Sequence, residues 1–292
     1  MDQAWSLNYE IKHQIPNSAS TYAQLVKNDE TIFTANKTEL GRFDDVIMFY
    51  NAWSPPTSFK IESEFDKVIN SKRERLVVKK LFYGHYCTTE DINNFLSWHE
   101  DKHILKDSIV ICKYGYSGRP DKAAAVKPYG AKAVLMFSDP FDYSEEGESG
   151  IDDAGIPWDT VQRGKSAYFR GDPTTPGYPS YFGTYAGSIQ EMLTKAQNEV
   201  HGPHLISPLP QQPISINDAQ YLLNMLPSHL SNDMESIKAW QNGTALKLTN
   251  VGGELAEGME FRLQIAPNYE RFISQDIIGS DLTLTVVCDN AI

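Results

Sequence analysis

The 292-residue chain is poor in cysteine, with three, at Cys87, Cys112 and Cys288. An odd, widely spaced set is not a disulfide framework, and no C-x-x-C pair offers a structural zinc site. The thiols are therefore expected to be free or buried. Positive charge is also short: 26 Lys and Arg stand against 38 Asp and Glu, a net charge of −12. So acidic a chain has no counterion-release drive toward phosphate, which argues against a nucleic-acid partner. Long apolar runs are missing as well. The longest, Val46–Tyr50 and Ala133–Phe137, reach about a quarter of a bilayer span, so no transmembrane helix is expected. Met1-Asp2-Gln3-Ala4-Trp5 lacks a charged n-region followed by an apolar h-region, and no signal peptide is read there. The chain does carry 41% hydrophobic and 22% charged residues, enough for a packed core in one large or two smaller domains.

Periodicity reads as mixed α and β. Leu7, Tyr9, Ile11 and His13 alternate with polar residues, as in a half-buried strand. Thr21–Lys27 and Thr31–Ala35 flank Asn28-Asp29-Glu30 as a hairpin. Leu76–Tyr83 reads as one strand. Thr88 or Thr89 caps a helix running to about His103, with Glu90 and Asp91 in its first turn. Ser108–Lys113 and Lys132–Phe137 are short β-branched or apolar runs, read as buried strands. Between them Pro120–Tyr129 reads as a helix ended by Gly130, so residues 108–137 form a strand–helix–strand unit with parallel strands. Residues 138–185 are rich in Gly, Pro, Asp and Tyr, a loop long enough to carry function. Ile189–Val200 reads as helical, Leu205–Pro213 as extended, and Asn217 as the cap of a helix through Met225. Leu246–Leu248, Met259–Ile265, Phe272–Ile278 and Leu282–Val287 read as closing strands.

His99-Glu100-Asp101-Lys102-His103 matches H-E-x-x-H, in which two histidines one helical turn apart bind zinc and the glutamate activates water. Here the intervening residues are charged, the helix stops soon afterwards, and no third ligand follows at a fixed spacing. The segment is better read as a solvated helix end. Asp142, Glu145, Glu146, Glu148, Asp152 and Asp153 are read as a solvated acidic loop. Asn36-Lys37-Thr38 and Asn242-Gly243-Thr244 are sequons that would permit glycosylation of Asn36 and Asn242.

Several blocks stand in a fixed order: Lys113-Tyr114-Gly115, Arg119 and Lys122, Gly130-Ala131-Lys132-Ala133-Val134-Leu135, Ser138-Asp139-Pro140-Phe141-Asp142-Tyr143, Val161-Gln162-Arg163-Gly164, and Gly171 to Pro179. Together they resemble the protease-associated (PA, apical) domain of the glutamate carboxypeptidase II and transferrin receptor family, nearer the carboxypeptidase branch. The resemblance implies an α/β (mixed) fold, a PA β-sheet assembly with peripheral helices. It divides the chain into a residual peptidase-domain strand at 1–14, the PA domain at 15–255 and the start of a peptidase-type domain at 256–292. The family's zinc-binding Gly-Gly-His-Arg-Asp block finds no counterpart in Leu282–Asn290, and no His follows His229. The expectation is a chain without the peptidase domain.

In the family an arginine at the Arg119 position binds the substrate's terminal carboxylate. Read from the residues alone, Arg119 stands just before a helix N-terminus, where a guanidinium fork and unpaired N–H groups favour an anion. Pro120 and Asp121 replace the usual Gly and Asn, and Phe137 stands where a tyrosine often supports substrate. Thr175 and Tyr178 match positions whose oxygens help hold calcium, with acidic partners from the peptidase domain. No cofactor is expected in this chain itself, zinc and calcium entering only with a peptidase domain. The expected partners are such a domain or a like chain, a second copy in a homodimer, or a small acidic peptide, at an extracellular or cell-surface location. The function expected is a non-catalytic module for carboxylate binding and domain contact. The alternative is an incomplete chain of a zinc-dependent carboxypeptidase acting on acidic C-terminal residues.

Overall fold

The computed structural model describes residues 5–15, 22–35, 51–52, 54–55, 57, 75–145, 155–168, 173–175, 191–192, 194, 206–226, 238, 240–265 and 268–278. The alternating segment at the start forms β1 (Trp5–Ile15). The expected hairpin follows as β2 (Tyr22–Lys27) and β3 (Glu30–Thr34). Its turn residues Asn28 and Asp29 take left-handed φ values of 49° and 66°, which a two-residue hairpin requires and which Asn and Asp tolerate better than other non-glycine residues. After β4 (Asn51–Ala52), the segment read as one strand over Leu76–Tyr83 is two, β5 (Leu76–Val78) and β6 (Lys80–Tyr83). Lys79 breaks the run, and its carbonyl accepts from Leu255 N at 2.7 Å.

Helix α1 (Thr89–Ser97) has the expected Thr88 cap. Asp91 N donates to Thr88 Oγ1, and Thr88 N donates back to Asp91 Oδ2, both at 3.1 Å. The helix ends at Ser97, short of the expected His103. Lys102 turns back and donates to the carbonyls of Leu96 and His99 at 2.7 and 2.8 Å, closing the helix end with a cation. Next come β7 (Ile109–Lys113) and α2 (Arg119–Val126). A 3₁₀ turn, Lys127–Tyr129, ends at left-handed Gly130 (φ 85°) and leads to β8 (Ala133–Phe137). Then follow β9 (Gly164–Lys165), β10 (Gln211–Pro213) and α3 (Ile216–Asn224). Ser215, not Asn217, caps α3, because its hydroxyl reaches Asp218 N at 3.0 Å. The chain ends its described part in β11 (Gly252–Glu254), β12 (Met259–Gln264) and β13 (Asn268–Ile278).

Leu246–Leu248 is not the expected strand. Side chains take its N–H groups instead: Thr244 Oγ1 accepts from Leu246, Gln220 Oε1 from Lys247 and Gln241 Oε1 from Leu248. Of Ile189–Val200 only Glu191, Met192 and Thr194 are described, all helical, and Leu282–Val287 lies outside the described residues.

A five-stranded sheet runs β10-β8-β7-β6-β11, parallel except for β11. The two crossovers, β6–α1–β7 and β7–α2–β8, are the units expected of adjacent parallel strands. Every residue of β7 and β8 is buried, as in a sheet covered on both faces. A second, antiparallel sheet runs β3-β2-β12-β5. Strand β4 pairs with β9, and β1 pairs with β13 from Trp5 opposite Ile278 to Ile15 opposite Asn268. The architecture is mixed α/β. Strand β12 pairs with β2 and β5, so residues 259–264 complete the sheet that the hairpin begins.

Cys87 and Cys112 form a disulfide with Cα atoms 5.6 Å apart, correcting the expectation of free thiols. The two are 25 residues apart in sequence, but the parallel pairing of β6 with β7 brings the turn after β6 alongside the end of β7.

Candidate functional site

Parallel strands deliver their carboxyl ends to one edge, where an α/β sheet ordinarily presents chemistry. Here β6 leads into Tyr86, β7 ends in Lys113, and β8 is followed by Asp139. Lys113 has no exposed surface. Its ammonium lies 3.5 Å from Asp139 Oδ2 and 3.0 Å from Asp142 Oδ1, donates to the Gly243 carbonyl, and sits 4.3 Å from the Tyr86 ring centroid. Asp139 is equally buried. It accepts from Thr244 Oγ1 at 2.5 Å, Ala245 N at 3.0 Å and Phe141 N at 3.1 Å. A buried charge pair needs this many partners to offset its desolvation. The Tyr86 hydroxyl donates to Asp142 Oδ1 at 2.5 Å. Burial, and then that bond, push the Tyr86 phenol well above its ordinary range. Asp142 is thus tied to Lys113 and Tyr86 although it keeps contact with solvent. Glu145 is exposed, while Glu146, Glu148, Asp152 and Asp153 lie outside the described residues.

Arg119 is the first residue of α2. Its guanidinium carbon lies 4.9 Å from the Tyr114 ring centroid, a cation–π stack. The Tyr114 hydroxyl donates to the Gln162 carbonyl at 2.8 Å, and Arg119 Nη2 donates to the Arg163 carbonyl at 3.3 Å. Segment 162–164 thus forms one wall of the guanidinium's seat. A Cβ at Gly164 would stand 2.1 Å from Arg119 Cζ, so glycine makes room for the group. Arg119 Nε is buried without a hydrogen-bond partner among the described residues. Gln211 Nε2 holds the Arg119 carbonyl, and Tyr168 Oη donates to the Pro120 carbonyl at 3.2 Å. Burial, with the Asp121 charge second, pushes the Tyr168 phenol up to about 12.

The helix N-terminus differs from the expectation in one respect. Asp121 Oδ2 accepts from the N-cap Gly118 N at 3.0 Å, so the chain's own carboxylate already sits at this helix end. The guanidinium remains as the donor for an external one. Lys122 lies one turn further along, fully buried, with its ammonium bonded to the carbonyls of Tyr86 and Gly115.

Phe137 has no exposed surface. It lies directly across the ladder from Lys113, its ring 6.3 Å from that of Tyr83. Thr175 is buried, and Tyr178 lies outside the described residues. So does Asn36, whereas Asn242 is exposed in the turn beside Thr244. His99 and His103 stand beyond the end of α1, His99 buried against Phe95 and His103 exposed, so they do not share a helical face. Among the described residues no three His, Cys, Asp or Glu side chains converge as metal ligands, and no helix is long and apolar enough to cross a membrane.

Reading the sequence for function singled out Arg119 but not the two lysines. A lysine ending the run Ile109-Val110-Ile111-Cys112 was the available signal, as was one preceding Ala123-Ala124-Ala125. Both stand where the local pattern asks for an apolar residue.

No protein-family model matches the chain. Aminopeptidase NAALADL1 of Rattus norvegicus is 29% identical over 187 residues, 60% of this chain and 23% of the relative. The Mus musculus protein of the same name is 26% identical over 296 residues, 96% of this chain and 35% of the relative. Transferrin receptor protein 2 of Rattus norvegicus is 29% identical over 147 residues, 50% of this chain and 16% of the relative. The chain thus spans between 16% and 35% of the length of these relatives. Among solved structures, an aminopeptidase from Aneurinibacillus sp. strain AM-1 covers 95% of this chain and 38% of its own at 10% identity and a TM-score of 0.41, too weak a likeness to carry an argument. The chain is similar in sequence to aminopeptidase NAALADL1, glutamate carboxypeptidase 2 homologues and transferrin receptor protein 2.

Proposed function

We propose that this chain is a PA-type module of a glutamate carboxypeptidase-like protein, and that it binds the terminal carboxylate of a small acidic peptide through Arg119. One observation carries the reading. The guanidinium is held between Tyr114 and the Gly164 backbone, with one long hydrogen bond on Nη2 and a buried Nε that no described residue satisfies. A planar fork pre-oriented in this way retains donors for a bidentate carboxylate. Sequence similarity to aminopeptidase NAALADL1 over 96% of the chain supports the wider assignment.

The described residues act by binding and orientation. Arg119 supplies charge and two parallel donors, Tyr114 and segment 162–164 fix its plane, and Phe137 packs behind the strand ends. A peptidase-type domain or a like chain supplies the facing wall. Zinc and calcium would enter with that peptidase-type domain. The Cys87–Cys112 disulfide and the exposed Asn242 accord with an oxidising, extracellular setting.

Calorimetric titration with N-acetyl-alanyl-glutamate tests the reading. Wild type binds, the C-terminal amide does not, and Arg119→Ala weakens binding by roughly tenfold or more. Arg119→Lys restores part of it, since an ammonium keeps the charge but not the fork. Equal binding by wild type and Arg119→Ala overturns the role of this residue. Chelator-sensitive cleavage of the peptide by the purified chain would replace the binding role with a catalytic one.

A further inference from the structure

We propose that Lys122 is the positioning residue of the Arg119 site, its ammonium fixing the loop that presents the guanidinium and adding charge beneath it; this rests on Arg119 being the carboxylate-binding group. Lys122 follows Arg119 by three residues and so shares its side of α2. Lysine in a helix ordinarily extends its head to water. This one has no exposed surface. The ammonium turns back under residues 115–117, donating to the Gly115 carbonyl at 2.8 Å and Ser117 Oγ at 3.3 Å. Its third bond reaches the Tyr86 carbonyl at 2.5 Å. Three donors meet three acceptors, the full complement of an ammonium.

The loop so held is one that needs holding. Gly115 and Tyr116 are successive left-handed residues, φ 100° and 59°. For a tyrosine that conformation is unfavourable and persists only where the surroundings impose it. Tyr116 is 85% exposed, and its ring rests 4.3 Å from that of Tyr86. Lys122 holds both sides of that contact from below, at the carbonyls of Gly115 and Tyr86. The bond to Tyr86 couples the same loop to the turn after β6, which the Cys87–Cys112 disulfide and the Tyr86–Asp142 bond already anchor.

All three acceptors are neutral. Asp91 on α1, Asp121 on α2 and Asp142 after β8 favour the charged form from a distance, and Lys113 on β7 opposes it. Burial outweighs them and pushes the ammonium down to about 8. Loss of the proton removes one donor, weakens the other two and withdraws a positive charge one helical turn from Arg119. Each change loosens the hold on an anion. By reciprocity, a bound carboxylate favours the charged lysine.

The test measures binding of N-acetyl-alanyl-glutamate from pH 6.5 to 9.5 at constant ionic strength, alongside the ¹³C carbonyl shifts of Tyr86 and Gly115 in the full chain without peptide. Affinity should fall roughly fivefold across the range, at the low end of measured couplings between sites, with a midpoint near 8. Both carbonyl shifts should follow the same midpoint. Lys122→Met should bind weakly throughout, and Lys122→Arg should bind without the fall. Carbonyl shifts that do not titrate, or an unchanged midpoint in Lys122→Arg, overturn the role of Lys122 even if peptide binds. Titrating carbonyls with no peptide binding by any form overturn the carboxylate reading and, with it, the positioning role. The wild-type measurement needs no variant to fold.

Discussion

Gly164 sets the room available to Arg119. A methyl group there meets the end of a flexible side chain, not backbone, so the guanidinium moves and the fold stays. Gly164→Ala should weaken binding of N-acetyl-alanyl-glutamate by roughly tenfold, about 1.4 kcal/mol. Its urea midpoint should match wild type; a lowered midpoint would show that the glycine serves packing. At this scale the sequence was partly legible. Arg119 stood out because its type and place before a helix named its chemistry. Lys113, Lys122 and Asp139 did not, because each is held by a partner between 29 and 130 residues away. Asp91 shows the same limit. Burial pushes its carboxyl up, but the His85 ring and the Thr88 N–H and hydroxyl together hold it below the usual range. That stabilisation is present above the unfolded value of about 4 and fades as pH falls through the lower folded one.

At the scale of elements, local signals located what local chemistry decides. The Asn28-Asp29 hairpin, the Thr88 cap and the strand–helix–strand unit over 108–137 all stand where turn, cap and period placed them. The misreadings have non-local causes. Lys79 splits an apparently continuous strand because its two halves are claimed by different sheets. The helix after Thr88 stops early because Lys102 folds back onto its last carbonyls. Strand β11 gave no periodic signal, since Gly252-Gly253-Glu254 carries almost no side chain. Gly252 is needed because φ is 135° and a Cβ would lie 2.5 Å from both the Leu81 carbonyl oxygen and Phe82 Cα. Gly252→Ala should therefore detach β11 from β6. The expected loss is roughly 1–3 kcal/mol in urea denaturation, with faster amide exchange at Leu81 and Tyr83. Unchanged exchange would show that the edge accommodates the methyl.

For the whole molecule, the covalent link between Cys87 and Cys112 constrains the unfolded chain. Closing a loop of 25 residues is worth about 3.5 kcal/mol in the chain-entropy account. Reduction, or Cys87→Ser with Cys112→Ser, should lower unfolding free energy by about that amount and release Tyr86 from its anchored turn. Intact-mass analysis without reductant should show the pair bonded; two alkylatable thiols at these positions would refute the link. The sequence did not reveal the pair, because three cysteines without a framework carry no pairing information until the parallel strands align.

The β1–β13 ladder sets residue 15 opposite 268, and the next pairing inward sets Tyr22 opposite Gln264. The chain therefore leaves and returns at almost one point, twice over. Everything between is a cassette that could be lifted from one host polypeptide and spliced into another between two adjacent positions, with no rerouting of the recipient's backbone.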